Sequence, residues 1–311
     1  MMKKLTYTHL LNETIAIYEK KGSLEAYQFM KENAEEVDGN EAQLYNFQYA
    51  LAAASDLKEE ALGIMKEAIL DHGYWYEYDY LQEDEDLNSI RSFKEFQELV
   101  ELCKRREEDA KKEAEPKLTI LNETTSQNQP ILMALHGDQE NAKMTSSVWN
   151  RPATQGYTLA FPQSSQIQFS DAYEWEDLQK GVQEIQEHVK ELSSHSSILI
   201  GGFSAGCRVA LKAMMEERVS VDGFVFVAPW LPEIDEWKEA MTSLQNTNIS
   251  GYIICGDQDD DCLEGSKALA AILEEKGIAH ELKIVKGLDH EYPEAFNESL
   301  QRALHFLHKR K

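Results

Sequence analysis

The feature that most restricts the fold of this chain is a change of hydrophobic period near residue 116. Downstream, short apolar runs follow one another: ILMALHG (131–137), YTLAFPQS (157–164), SILIGGFS (197–204), GFVFVAP (223–229), GYIICGD (251–257) and HELKIVKG (280–287). Helical patterns separate the later runs, near 176–192, 205–217, 263–276 and 292–309. Runs that are apolar at nearly every position, instead of every second one, mark strands covered on both faces. Strands of that kind form a mostly parallel sheet between two layers of helices. The spacing therefore predicts a doubly wound α/β domain over 116–311, with its ligand outside the carboxyl ends of the strands.

Upstream, residues 1–115 read as helix throughout. Apolar residues recur at three and four, as in Leu44, Phe47 and Leu51, then Ala61, Leu62, Met65 and Ile69. Breaks fall at Gly22-Ser23, Asp38-Gly39-Asn40, Asp56 and His72-Gly73. Small residues at Ala50, Ala53 and Ala61 flank a turn at Asp56-Leu57, where two helices must approach closely. Over about residues 22–103 this resembles a tetratricopeptide repeat, although the Trp, Gly and Pro positions of that pattern are not all met. Leu87, Ile90, Phe93 and Phe96 are expected to close the exposed end of such a stack. The resemblance implies a peptide or protein partner held in a concave groove. KRREEDAKKEAEP (104–116) has no apolar face and reads as a solvated helix end ended by Pro116.

Composition narrows the function. With 31 basic and 56 acidic residues the net charge is −25, which repels phosphate backbones and anionic lipid, so nucleic acid and membrane surfaces are not expected partners. No stretch reaches the ~18 uninterrupted apolar residues of a membrane span. The first apolar residues are broken by Asn12, Glu13 and Glu19, unlike the core of a signal peptide. Cys103, Cys207, Cys255 and Cys262 form neither a CxxC pair nor a zinc-spaced cluster. A cytoplasmic protein is the expectation.

The chemistry centres on Gly202-Phe203-Ser204-Ala205-Gly206, which follows the apolar run 198–200 and opens a helix. A sharp strand-to-helix turn lifts a serine hydroxyl clear of the sheet, and the helix N-terminus offers N–H groups to developing negative charge. A phosphate loop is the competing use of such a turn, but neither Gly-x-Gly-x-x-Gly nor a Gly-Lys-Ser ending is present. A serine needs a base. Of nine histidines only His136 and His290 stand at strand ends, and His290 falls between the last strand and the last helix, where it can reach Ser204. His136 is expected to brace its loop. The acid should lie after the preceding strand, where CGDQDDDC offers several carboxylates. Their alternation suggests calcium, but Cys262 and Ala268 stand where an EF-hand needs glycine and glutamate.

Residues 130–311 resemble the small α/β-hydrolases of the phospholipase/carboxylesterase and predicted-esterase group. The matching pieces are LHG (135–137), Trp175 at a helix start, GGFSAG (201–206), GDQD (256–259) and DHEYPEAF (289–296), all in the family's order. In related sequences the acid stands three residues after a glycine closing the strand, so Gly256 points to Asp259, with Asp257 and Asp289 as open alternatives. The resemblance implies a serine hydrolase acting on a small acyl ester or thioester, with neither cofactor nor metal. Ser204 would be the nucleophile and His290 the base, and the N–H of Ala205 with that of Asp138 or Gln139 would form the oxyanion hole. Gly137 is expected to let that loop turn. Asp138-Gln139 after LHG, and Cys207 after the elbow, depart from the family and leave the acyl pocket undefined. Cys207 and Cys255 read as inert core thiols, and Cys262 as an exposed one. Only about twenty residues, with Trp230, Leu231, Ile234 and Trp237, separate two strands where a lid could lie, so the helical region is expected to shape access to the pocket. Two other readings stay open: an interaction protein with a degenerate hydrolase domain, and a peptidase of the same fold.

Overall fold

A computed structural model of the chain describes residues 5–122, 129–192 and 197–309. The chain divides into two compact units. One comprises Met1–Ala114 with Ile167–Ala172, the other Glu115–Gln166 with Tyr173–Lys311. Among the described residues no helix is long and apolar enough to cross a membrane.

The first unit is built from α1 (Tyr7–Lys21), α2 (Ser23–Asn33), α3 (Glu41–Ala54), α4 (Lys58–Lys66), α5 (Tyr78–Glu83) and α6 (Lys94–Glu113). Side-chain caps start two of them: Thr6 accepts from the N–H of His9 and Asn40 from that of Gln43. The α3–α4 turn closes at Asp56, in the left-handed region with φ 60°, and buried Ala50, Ala53 and Ala61 let the two helices pack closely. Leu87, Ile90 and Phe96 are buried as expected. Phe93 is not: it immediately precedes α6 and stays 36% exposed.

Residues Ile167–Ala172 join this helical unit through a compact set of bonds. The Asn40 amide donates to the Ser170 carbonyl at 3.0 Å, and the Trp75 N–H donates to the Ser170 hydroxyl at 2.8 Å. The Ser170 N–H donates to the Trp75 carbonyl at 3.1 Å, and Phe169 lies beside Tyr76.

The second unit holds strands β1 (Lys117–Leu121), β2 (Ile131–Leu135) and β3 (Thr158–Gln163), and a hairpin of β4 (Gln166–Phe169) and β5 (Ala172–Glu174) whose middle belongs to the helical unit. It continues with β6 (Ile198–Phe203), β7 (Gly223–Val227), β8 (Ser250–Gly256) and β9 (Ala279–Val285). The main sheet runs β1-β3-β2-β6-β7-β8-β9. β1 pairs antiparallel with β3, and every other pairing is parallel. Its helices are α7 (Ala142–Trp149), α8 (Leu178–Glu191), α9 (Ala205–Met215), α10 (Ile234–Trp237), α11 (Leu263–Glu275) and α12 (Phe296–His308).

Period-two geometry explains the continuous apolar runs. In β2, Ile131, Met133 and Leu135 enter one core while Leu132 and Ala134 enter the other. In β7, Phe224 and Phe226 oppose Val225 and Val227 in the same way. Side chains of α8, α9 and α11 fill the first core, and those of α7 and α12 fill the second. Burial of one such aliphatic side chain stabilises by about 1.5–3 kcal/mol, so a polar residue at any of these strand positions opposes the fold. Successive strands step one way from β2 to β3 and the other way from β6 to β9. That reversal leaves a crevice above β2 and β6, the place where doubly wound sheets bind ligands.

Candidate active site

Ser204 follows β6 and precedes α9 with φ 51° and ψ −122°. A serine in this conformation carries on the order of 1–3 kcal/mol of strain, which persists only where the surroundings fix it. Three hydrogen bonds do so. The Ser204 N–H donates to the Val227 carbonyl at 3.1 Å, and its carbonyl accepts from Cys207 at 3.0 Å and Trp230 at 3.3 Å. The glycine that follows is required by contact. A Cβ on Gly206 would lie 2.4 Å from the His136 carbonyl oxygen, so only glycine lets α9 begin against the end of β2. This contact brings the 136–140 loop to the elbow.

His290 lies in the loop between β9 and α12. Its Nδ1 is 2.9 Å from Asp259 Oδ2. Asp259 is 1% exposed, and its other carboxylate oxygen accepts the N–H of Cys262 at 3.1 Å. The imidazole rests on the ring of Phe203, 4.9 Å between centroids, so it stands over the residue next to Ser204. Burial pulls the His290 pKa down, but the hydrogen bond and charge of Asp259, with Glu140 and Asp261, outweigh it and hold the imidazole above its ordinary value. Asp259 and His290 are thus joined directly; among the described residues no hydrogen bond joins Ser204 to either. Such bonds are often long before substrate binds.

The other acids of the loop are engaged elsewhere. Asp257 accepts from the N–H of Gly287 at 2.6 Å, and Asp289 from the N–H of His290 at 2.8 Å. Asp257 and Asp259 are therefore bound to different partners. His136 braces its loop: its Nε2 accepts the Ser164 N–H, its Nδ1 donates to the Gly137 carbonyl, and its ring stacks on Trp175. Full burial pushes its pKa down to about 4, so it is neutral at physiological pH.

Of the residues expected to hold the oxyanion, Ala205 is the first residue of α9, where helical geometry leaves N–H groups without intrahelical acceptors. The Asp138 carboxylate accepts the N–H of Trp175 at 2.9 Å, which pins the loop. The turn itself comes from Gln139, with φ 61°, and not from Gly137 as the sequence suggested. Gly137 is glycine for space: a Cβ there would meet the Phe203 ring at 2.9 Å.

Two residues of this site escaped the sequence. Glu140 is buried, accepts the Gly137 N–H at 3.0 Å, and is pushed up to about 7 by desolvation. Nothing in sequence distinguishes it from a loop glutamate. Cys262 is not exposed but fully buried, with its sulfur 3.5 Å from His290 Nδ1. Its position three residues after Asp259, at the start of α11, is the signal that was available. Cys255 also approaches Asp259, at 3.9 Å, whereas Cys207 faces the Val227 carbonyl.

The profile of the Phospholipase/Carboxylesterase family matches residues 176–311, and residues 6–111 match one described as the A/B hydrolase-like N-terminal domain. An uncharacterized protein of Bacillus cereus ATCC 10987, known from a crystal structure, is 48% identical over 98% of this chain and 100% of its own, with TM-score 0.57. Residues 176–311 belong to the phospholipase/carboxylesterase family. Esterase PE8, 15% identical over 63% of this chain and 100% of its own with TM-score 0.53, shares the α/β-hydrolase fold. Curated proteins gave no match. Family and fold are those of esterase-type hydrolases. The family's N-terminal match describes the helical region as a hydrolase-associated domain, and the tetratricopeptide likeness finds no support beside it.

Proposed function

We propose that this chain is a serine hydrolase that cleaves a carboxylic ester or thioester through an acyl-enzyme, with Ser204 as nucleophile, His290 as base and Asp259 as the acid that orients it. The observation that carries the reading is the 2.9 Å bond from His290 to Asp259, made by an imidazole resting on the residue beside a strained Ser204. Asp259 accepts the Nδ1 proton, which leaves the Nε2 lone pair to take the serine proton. As Ser204 Oγ bonds to the acyl carbon, charge moves to the carbonyl oxygen, where the N–H groups of Ala205 and of Asp138 or Gln139 stabilise it. The imidazolium returns its proton to the leaving alcohol or thiol, and water then attacks the acyl-enzyme by the same route.

Replacing Ser204 by Ala should reduce turnover of short p-nitrophenyl esters to background and abolish labelling by a fluorophosphonate probe. Labelling that persists in the variant, or turnover at the wild-type rate, rejects the assignment.

A further inference from the structure

One residue beside the proposed acid–base pair has no part in acyl transfer. Cys262 places its sulfur 3.5 Å from the same His290 nitrogen that Asp259 approaches at 2.9 Å, and one donor atom from each of the three residues lies within 4.8 Å of the others. A thiol, an imidazole and a carboxylate combine a soft, a borderline and a hard donor, and the sulfur and nitrogen make the set one that holds zinc in preference to calcium or magnesium. Tetrahedral zinc, with bonds of about 2.0–2.3 Å, spaces its donors roughly 3.3–3.7 Å apart. Two of the three separations, 3.5 and 2.9 Å, lie within about half an ångström of that spacing, and the third is no more than 4.8 Å. We propose that Asp259, Cys262 and His290 form an inhibitory site for Zn2+ and similar thiophilic divalent cations.

Charge and proton balance favour this occupant. Cys262 and Asp259 are both buried, and the thiol is held protonated by burial and by the neighbouring carboxylate. A divalent cation supplies the charge that lets the thiol ionise. Zn2+ loses water ligands and gains bonds to sulfur, nitrogen and oxygen, while the Cys262 proton leaves to solvent. Thiolate and carboxylate then neutralise the metal. Bonding at Nδ1 displaces the proton shared with Asp259, and the neutral imidazole carries its proton on Nε2 instead. An Nε2 that already holds a proton cannot accept one from Ser204. The His290 side chain, 30% exposed, provides the way in.

Loss of turnover rests on the serine-hydrolase reading; metal binding does not, so the two are measured separately on the full-length chain. Co2+ added to the protein should give a thiolate-to-metal charge-transfer absorption that survives Ser204→Ala and disappears in Cys262→Val. X-ray absorption of the zinc-loaded wild type should show one sulfur among nitrogen and oxygen ligands, a result that needs no variant to fold. Zn2+ should inhibit ester turnover reversibly to chelator, and Cys262→Val, compared with its own metal-free rate, should require at least ~10-fold more metal for half-inhibition. A first shell without sulfur, or a charge-transfer band unchanged in Cys262→Val, overturns the site. Metal bound with sulfur but without effect on turnover overturns the inhibitory role.

Discussion

Gly256 and Leu288 approach so closely that a Cβ on the glycine would lie 2.0 Å from the leucine carbonyl oxygen. The same carbonyl accepts the N–H of Gln258 at 3.0 Å. One contact thus fixes the loop that carries Asp259 against the loop that carries His290. Gly256→Ala should force the loops apart while leaving the two cores of the sheet filled. A displacement near 1 Å can cost about 100-fold in rate, so we expect ester turnover to fall by that order with cooperative unfolding retained. Turnover within twofold of wild type would show that the loop register does not govern the reaction.

Asp259→Asn tests the acid through pH as well as rate. The base must be neutral, so activity falls as pH drops through the His290 pKa, which is held above its ordinary value of 6.5. Burial, the largest influence, acts downward; Asp259 supplies most of the opposing effect. Without that carboxylate the acid limb of the pH–rate profile should move to lower pH, and kcat should fall roughly 10^4-fold by comparison with serine proteases. A rate loss with an unmoved acid limb would assign Asp259 a purely structural part.

The legible parts of this molecule were those set by repeating local rules. Two-faced burial made the strands of the sheet readable, and close packing at Gly202 and Gly206 made the elbow readable. His290 stands out because it occupies the loop between the last strand and the last helix, whereas only the family resemblance singles out Asp259 from the other carboxylates of its loop. What the sequence hid depends on contacts between loops distant in the chain. Glu140 lies beside the site only because its buried carboxylate accepts the Gly137 N–H. Cys262 is buried only because α11 starts under the His290 loop, and Ile167–Ala172 joins the helical unit through bonds to Asn40 and Trp75. Periodicity carries no record of such contacts.

Glu140 and His136 make opposed contributions to acid stability. The Glu140 carboxyl titrates near 4.5 when unfolded and near 7 when folded, so the folded state binds more protons between those values and loses stability as pH rises. The full step corresponds to roughly 3 kcal/mol, present above pH 7 and absent below pH 4.5. His136 titrates near 6.5 unfolded and near 4 folded, so between those values the unfolded state binds more protons and stability rises with pH. The two slopes cancel between about pH 4.5 and 6.5. Glu140→Gln, whose amide oxygen can still accept the Gly137 N–H, removes one of them. Urea unfolding should show the variant more stable than wild type at pH 8, with the gap nearly closed at pH 5. Equal midpoints at pH 8 would contradict the account.

Asn40 serves two purposes that substitution can separate. Its side-chain oxygen accepts the Gln43 N–H at the start of α3, and its amide donates to the Ser170 carbonyl, all in a buried setting. Asn40→Asp keeps the cap acceptor and improves the charge at the helix N-terminus, but it replaces the donor with an acceptor facing a carbonyl oxygen. Asn40→Ala removes both. The lost cap is worth about 1 kcal/mol, and a buried carbonyl left without its donor costs about 1–3 kcal/mol. We therefore expect Asn40→Ala to lose roughly 2–4 kcal/mol in urea unfolding, and Asn40→Asp to lose most of that despite its intact cap. Hydrogen exchange should speed at the Trp75 and Ser170 amides, which bond within the same cluster, in both variants. If Asn40→Asp matches wild type in stability and in exchange, the cap alone is what Asn40 supplies and the Ser170 segment is held by Trp75.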